Sequence, residues 1–117
     1  HTTGAVSTID RIVDVFPPEQ QSLIKIQLSN ALVGILSQQL LPKIGGGRVA
    51  SHEVLVATPA VRNLIREGKT SQIRNVIQTS GGVGMQTLEK SLNQLVAAGK
   101  ITRELALARA STPMEIV

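Results

Sequence analysis

The strongest chemical character in this chain belongs to two arginines. Arg62 and Arg66 lie in Ala60-Val61-Arg62-Asn63-Leu64-Ile65-Arg66-Glu67, with Val61, Leu64 and Ile65 on one face at helical spacing and the arginines on another. Two stacked guanidinium forks with no acidic residue one turn upstream suit an acidic or phosphate-bearing partner. A solvated helix face accounts for them as well. The following Gly68-Lys69-Thr70 has the ending of a phosphate-binding loop, but the glycine that motif needs earlier is replaced by Asn63, so it reads as a helix C-cap. Gly81-Gly82-Val83-Gly84 offers backbone amides ahead of a helix, yet no basic residue closely precedes it, and a connector is the simpler reading. His52 and Glu53 are neighbours on a strand and point to opposite faces. With no second His or Cys at ligand spacing, no metal site is assigned and His52 is read as structural. No Ser-His-Asp arrangement has support in the sequence.

Composition narrows the classes further. The 117 residues are 42% hydrophobic and 17% charged, which argues against wholesale disorder and for one compact unit. Cysteine is absent, excluding disulfides, a thiol nucleophile and a cysteine-based zinc site. No apolar run approaches the ~20 residues that span a bilayer, and no signal-peptide pattern is present. The net charge is +4, but Lys and Arg are scattered and the sole aromatic is Phe16, so nucleic-acid binding is not expected. The core must be built from Leu, Ile, Val and Ala.

The elements that position these residues follow from period and punctuation. Ile9, Ile12, Val13 and Phe16 form a helical face that Pro17 and Pro18 end. Pro18 opens a second helix, expected to run to about Leu40 with a stripe of Ile24, Leu28, Ala31, Leu32, Ile35 and Leu36. Gly45–Gly47 reads as a hairpin turn before a strand at Arg48–Ala57. Thr58-Pro59 starts a helix that Gly68 ends, and a short helix spans Ser71–Thr79. A helix carrying Met85, Leu88, Leu92, Leu95 and Val96 closes at Gly99, and Thr102 caps a last one to about Ala110. The expected organisation is mixed before Pro59 and all-helical after it.

His1-Thr2-Thr3, TIDRIVDVFPPEQQ, LLPKIGGGRVASHEVLVATPAVRNLIREGK and GVGMQTLEKSL, in that order, resemble the C-terminal half of PilT-type retraction ATPases of bacterial type IV pili, in the secretion-ATPase superfamily. The most specific element is AVRNLIRE, beside the family's AIRNLIRE. The resemblance implies an α/β fold: residues 1–58 as the C-terminal part of a RecA-like P-loop ATPase core (His box, long helix, β-hairpin), and residues 59–117 as a helical subdomain carrying the motif. It implies a cytoplasmic homo-hexameric motor, peripheral to the inner membrane, that hydrolyses ATP with Mg to drive retraction at a platform protein. No nucleic acid and no membrane insertion are implied. His1 would belong to the His box at the γ-phosphate end of the site. Ala60, Val61, Arg62, Asn63, Leu64, Ile65, Arg66 and Glu67 would serve retraction rather than nucleotide binding.

Walker A, the Asp box and Walker B would precede His1 in the family. The expectation is therefore a fragment that is inactive alone, with no cofactor of its own. Pilus-extension and type II secretion ATPases usually carry a four-cysteine zinc element between the long helix and the hairpin, where this chain runs directly through Gln38–Gly45. The other class to weigh is a non-enzymatic helical module for protein docking, or less readily DNA binding. Without neighbouring strands, the face of Ile9, Ile12, Val13 and Phe16 and part of the Ile24–Leu36 stripe are expected to lack cover.

Overall fold

A computed structural model describes residues 4–117. The order is α1 (Ala5–Asp14), α2 (Pro18–Ala31), β1 (Gly34–Pro42), β2 (Arg48–Val56), α3 (Pro59–Arg66), α4 (Ile73–Thr79), α5 (Leu88–Ala97) and α6 (Arg103–Arg109). Short 3-10 turns at Thr70–Gln72, Gly81–Val83 and Pro113–Glu115 complete it.

The long helix expected to reach Leu40 ends at Ala31 instead, and Gly34–Pro42 is a strand. The stripe at Ile35 and Leu36 imitates helical spacing, but these residues alternate inward and outward, and full-length pairing with β2 decides their conformation. Gln38–Gly45 is accordingly strand and turn, not a connection between helix and hairpin. The connection from α2 into the hairpin is Leu32-Val33.

The hairpin runs in unbroken register from Gly34 opposite Val56 to Pro42 opposite Arg48. Its turn needs three consecutive positive φ values, 88°, 108° and 75° at Gly45, Gly46 and Gly47, which side chains would resist. Ile35, Ser37, Gln39 and Leu41 face inward on β1, while Gly34, Leu36, Gln38 and Leu40 face out.

Two apolar clusters sit on the inner face, one toward each end of the hairpin. Ala5, Ile9, Leu55, Val61, Ile65, Ile73, Ile77 and Met85 make the first, with Leu28, Leu32 and Ile35 packed against it. Leu41, Leu88, Leu92, Ile101, Ala106 and Ile116 make the second. Each fully buried Leu or Ile contributes roughly 1.5–3 kcal/mol. Packing crosses Pro59, since residues of α1 and β2 share the first cluster with α3 and α4, and the clusters part between Met85 and Leu88. Between them the inner face turns polar: Ser51 is buried opposite Gln39, and Ser51 Oγ and Gln39 Oε1 have no hydrogen-bond partner among the described residues.

Burial bears out part of the expected bare faces and corrects part. Ile9 and Val13 are covered, whereas Ile12 points outward at 39% exposure. Leu36 of the expected stripe is open on the outer face of β1, where Leu40 joins it, and Leu23 and Ile26 add open apolar surface on α2. Among the described residues no helix is long and apolar enough to cross a membrane.

Candidate functional site

Helix α3 begins as the sequence indicates. Thr58 Oγ1 accepts from the Val61 amide, and Pro59 occupies the first turn, where a missing N–H costs nothing. It ends in a paired cap: the Gly68 amide donates to the Ile65 carbonyl at 3.1 Å and the Lys69 amide to the Leu64 carbonyl at 2.8 Å. Gly68 has φ +72°, and a Cβ there would also meet Lys25 Nζ at 3.0 Å. The cap reading of Gly68-Lys69-Thr70 therefore stands, and no phosphate cradle is present at that turn.

Within α3 the expected inner face is correct, with Val61 and Ile65 buried and Leu64 half-buried against the first cluster. The two arginines part company. Arg62 is half-buried and its Nη1 donates to the Ser29 carbonyl, one of the last four of α2, which lack helical partners of their own. Arg66 is exposed, donating from Nη1 to Asn63 Oδ1 at 2.8 Å. Glu67 pairs with Lys69 at 3.3 Å, both half in solvent. The outward set is thus Ala60, Asn63, Arg66 and Glu67, while Arg62 fastens α3 to α2. His1 lies outside the described residues.

His52 is held through its backbone, its amide donating to Ser91 Oγ at 3.0 Å and its carbonyl accepting from Gln86 Nε2 at 2.9 Å. No group of three His, Cys, Asp or Glu side chains that could hold a metal ion occurs among the described residues. Glu53 has a role that its position in a strand conceals. Its carboxylate accepts from the Ala5 amide at 2.5 Å and so caps the first turn of α1 across 48 positions of sequence. A cavity of about 230 Å³ opens beside this cap, lined in part by Gly4, Ser7, Glu53, Ser71 and Arg74.

A second buried polar centre was invisible in the sequence. Glu89, 1% exposed at the start of α5, accepts from Arg74 Nη2 at 3.0 Å, the Ser111 amide at 2.8 Å and the Thr112 amide at 3.0 Å. Arg74 also reaches Glu115 at 2.6 Å, and Gln78 joins the same carboxylate. Burial pushes the Glu89 carboxyl up, but hydrogen bonds from backbone amides and from Arg74 prevail and hold it below the ordinary range. Burial pulls Arg74 down, and its two carboxylate partners more than offset this. The centre ties α4, α5 and the C-terminal segment together through Arg74 Nη2, which meets both carboxylates.

Compared with known proteins, the chain is 54% identical over 113 residues to the type IV pilus retraction ATPase PilT of Pseudomonas aeruginosa, covering 97% of this chain and 33% of that protein. It is 54% identical over 111 residues to a twitching motility protein of Neisseria gonorrhoeae, covering 94% of this chain and 30% of that one. Among solved structures, the pilus retraction motor PilT with bound ADP matches with a TM-score of 0.86 and 47% identity, over 98% of this chain and 32% of that chain. The chain is a homologue of the pilus-retraction ATPases. It spans about a third of the length of these two relatives. The Legionella pneumophila ATPase DotB, at 24% identity and a TM-score of 0.73 over 91% of this chain and 29% of that one, shares the fold, which is α/β and RecA-like. No family model matches the chain.

Proposed function

We propose that this chain is the part of a type IV pilus retraction motor that presents the α3 motif, while nucleotide chemistry resides elsewhere in the protein. The observation that carries this reading is likeness to the retraction ATPase along nearly the whole chain, in sequence and in fold. The chain itself has no GxxxxGK[ST] segment, and its described residues assemble no carboxylate cluster for magnesium. Likeness to a retraction motor with bound ADP supports placing ATP and Mg in the parent protein, read as a cytoplasmic homo-hexamer working against an inner-membrane platform protein, with His1 near the γ-phosphate. What these residues do is hold and display a helix. Val61, Leu64, Ile65 and the Arg62 link to Ser29 fix α3 in place, leaving Asn63, Arg66 and Glu67 to meet a partner.

The test is a chimera in which this chain replaces the matching third of the Pseudomonas aeruginosa ATPase. Restored twitching supports the reading. A chimera that hydrolyses ATP normally and does not support twitching overturns it. Within a working chimera, Arg66→Ala is expected to abolish twitching and spare ATP turnover; the opposite pattern reverses the assignment. Magnesium-dependent ATP hydrolysis by the 117-residue chain alone would place the chemistry here instead.

A further inference from the structure

Arg66 has a hydrogen-bond partner and no ionic one. Among the described residues no carboxylate pairs with it, and its guanidinium is met by the Asn63 side chain, Nη1 donating to Oδ1 at 2.8 Å. The two residues are one helical turn apart, so the contact is internal to α3. Taking Nη1 leaves Nε and Nη2, which share the other edge of the guanidinium. Two parallel N–H groups on one edge match the two oxygens of a carboxylate. Asn63 is also neutral, so it holds the fork without cancelling its charge. A free arginine disperses over many rotamers, and fixing it beforehand removes part of the cost of binding.

The neighbouring charges decide which anion the fork suits. A phosphate group carries up to two negative charges and calls for a second cation. Arg62 turns inward to the Ser29 carbonyl, and Lys69 is paired with Glu67 at 3.3 Å. Glu67, the next residue to Arg66, adds a negative charge of its own to the exposed end of the helix. One open fork with no spare cation beside it matches a singly charged carboxylate. We propose that α3 docks on an acidic side chain of a separate protein, gripped by Arg66 through Nε and Nη2, and that Asn63 is the positioning residue that presents this edge. The proposal rests on the retraction reading, in which α3 meets a partner.

The test uses the full-length chimera described above, scoring twitching relative to ATP turnover, with melting temperature as the check on folding. Arg66→Ala examines the retraction reading itself: normal twitching there ends that reading and this proposal with it. Where Arg66→Ala fails to twitch, the remaining variants examine the proposal alone. Arg66→Lys keeps the charge without the fork and is expected to fail as well. Asn63→Ala frees the guanidinium and is expected to cut twitching roughly two- to tenfold, whereas Asn63→Gln returns a carbonyl within reach and restores most of it. Asn63→Asp holds the guanidinium but neutralises it, and is expected to abolish twitching with no loss of melting temperature. A merely structural Asn63 would give the reverse, a lowered melting temperature in Asn63→Ala and normal twitching in Asn63→Asp. The partner's charge is read from revertants of Arg66→Glu selected for regained twitching. The compensating change is expected outside the chimera's own gene, turning an Asp or Glu into Lys or Arg. Normal twitching in Arg66→Lys or in Asn63→Asp, or a revertant screen that returns no such change, overturns the proposal.

Discussion

Replacing Glu89 by Gln tests whether the buried polar centre holds the second half of the molecule together. The carboxylate accepts one bond from Arg74 and two from the Ser111 and Thr112 amides. Hydrogen bonds to a charged group are worth about 1.5–3 kcal/mol and neutral ones about 0.5–1.5 kcal/mol, so neutralising the acceptor forfeits roughly 1 kcal/mol on each. Relief of the desolvation of a buried charge offsets part of that loss. Arg74 is not orphaned, because Glu115 retains it at 2.6 Å. The expected net cost is therefore about 2–3 kcal/mol at neutral pH, below the ~3–5 kcal/mol that follows when a buried charge is left alone. In a domain of this size that lowers the melting temperature by roughly 10 °C. The Glu89 carboxyl is held below its ordinary value of 4.5. Its contribution is thus fully present above that value and is lost as pH falls through the lower, folded one. Urea titrations of both proteins at neutral and acid pH should show a gap that narrows toward acid. A gap under about 0.5 kcal/mol at neutral pH, or one indifferent to pH, would refute the reasoning.

The two arginines of α3 should separate in thermal melts: Arg62→Ala loses a bond to an otherwise unpaired helix-end carbonyl and costs about 1–2 kcal/mol, whereas exposed Arg66→Ala stays within about 0.5 kcal/mol. Equal effects would contradict their different placement. Glu53→Ala should cost about 1 kcal/mol and speed amide exchange in the first turn of α1, while exchange in α6 is unchanged. A chain beginning at Pro59 lacks Ala5, Ile9 and Leu55 from the first cluster and Leu41 from the second. It should show no cooperative melt, and a sharp transition there would mean that the helices form a core of their own.

Helix caps were legible because their signals are local. Thr58, Thr102, Gly68 and Gly99 each act within a few residues, and all four behave as their types indicate. The glycine turn was equally plain. Strand β1 was hidden because Ile35 and Leu36 continue the stripe of α2 at helical spacing, while Gln38 and Gln39 are good helix formers themselves. Its pairing with β2 was the deciding term, and no single window contains it. Glu89 posed the same difficulty in sharper form. An acidic residue in the first turn of a helix normally faces water, and its partners Arg74, Ser111 and Thr112 lie 15, 22 and 23 positions away. For the motif helix the pattern gave the buried face but assigned both arginines outward, since the Ser29 carbonyl belongs to another helix.

The hairpin behaves as a beam with a footing near each end. At roughly 3.3 Å per residue its nine-residue strands extend about 30 Å, most of the way along a molecule whose longest dimension is 50 Å. Interdigitated apolar side chains grip it at Ile35 and Leu55 and again at Leu41 and Val49, whereas the midspan around Gln39 and Ser51 has no such grip. A load applied at α3 enters the first footing, travels down paired backbone and emerges at α5 and α6. The midspan of that path is held by hydrogen bonds instead, from the His52 amide to Ser91 and from Gln86 to the His52 carbonyl.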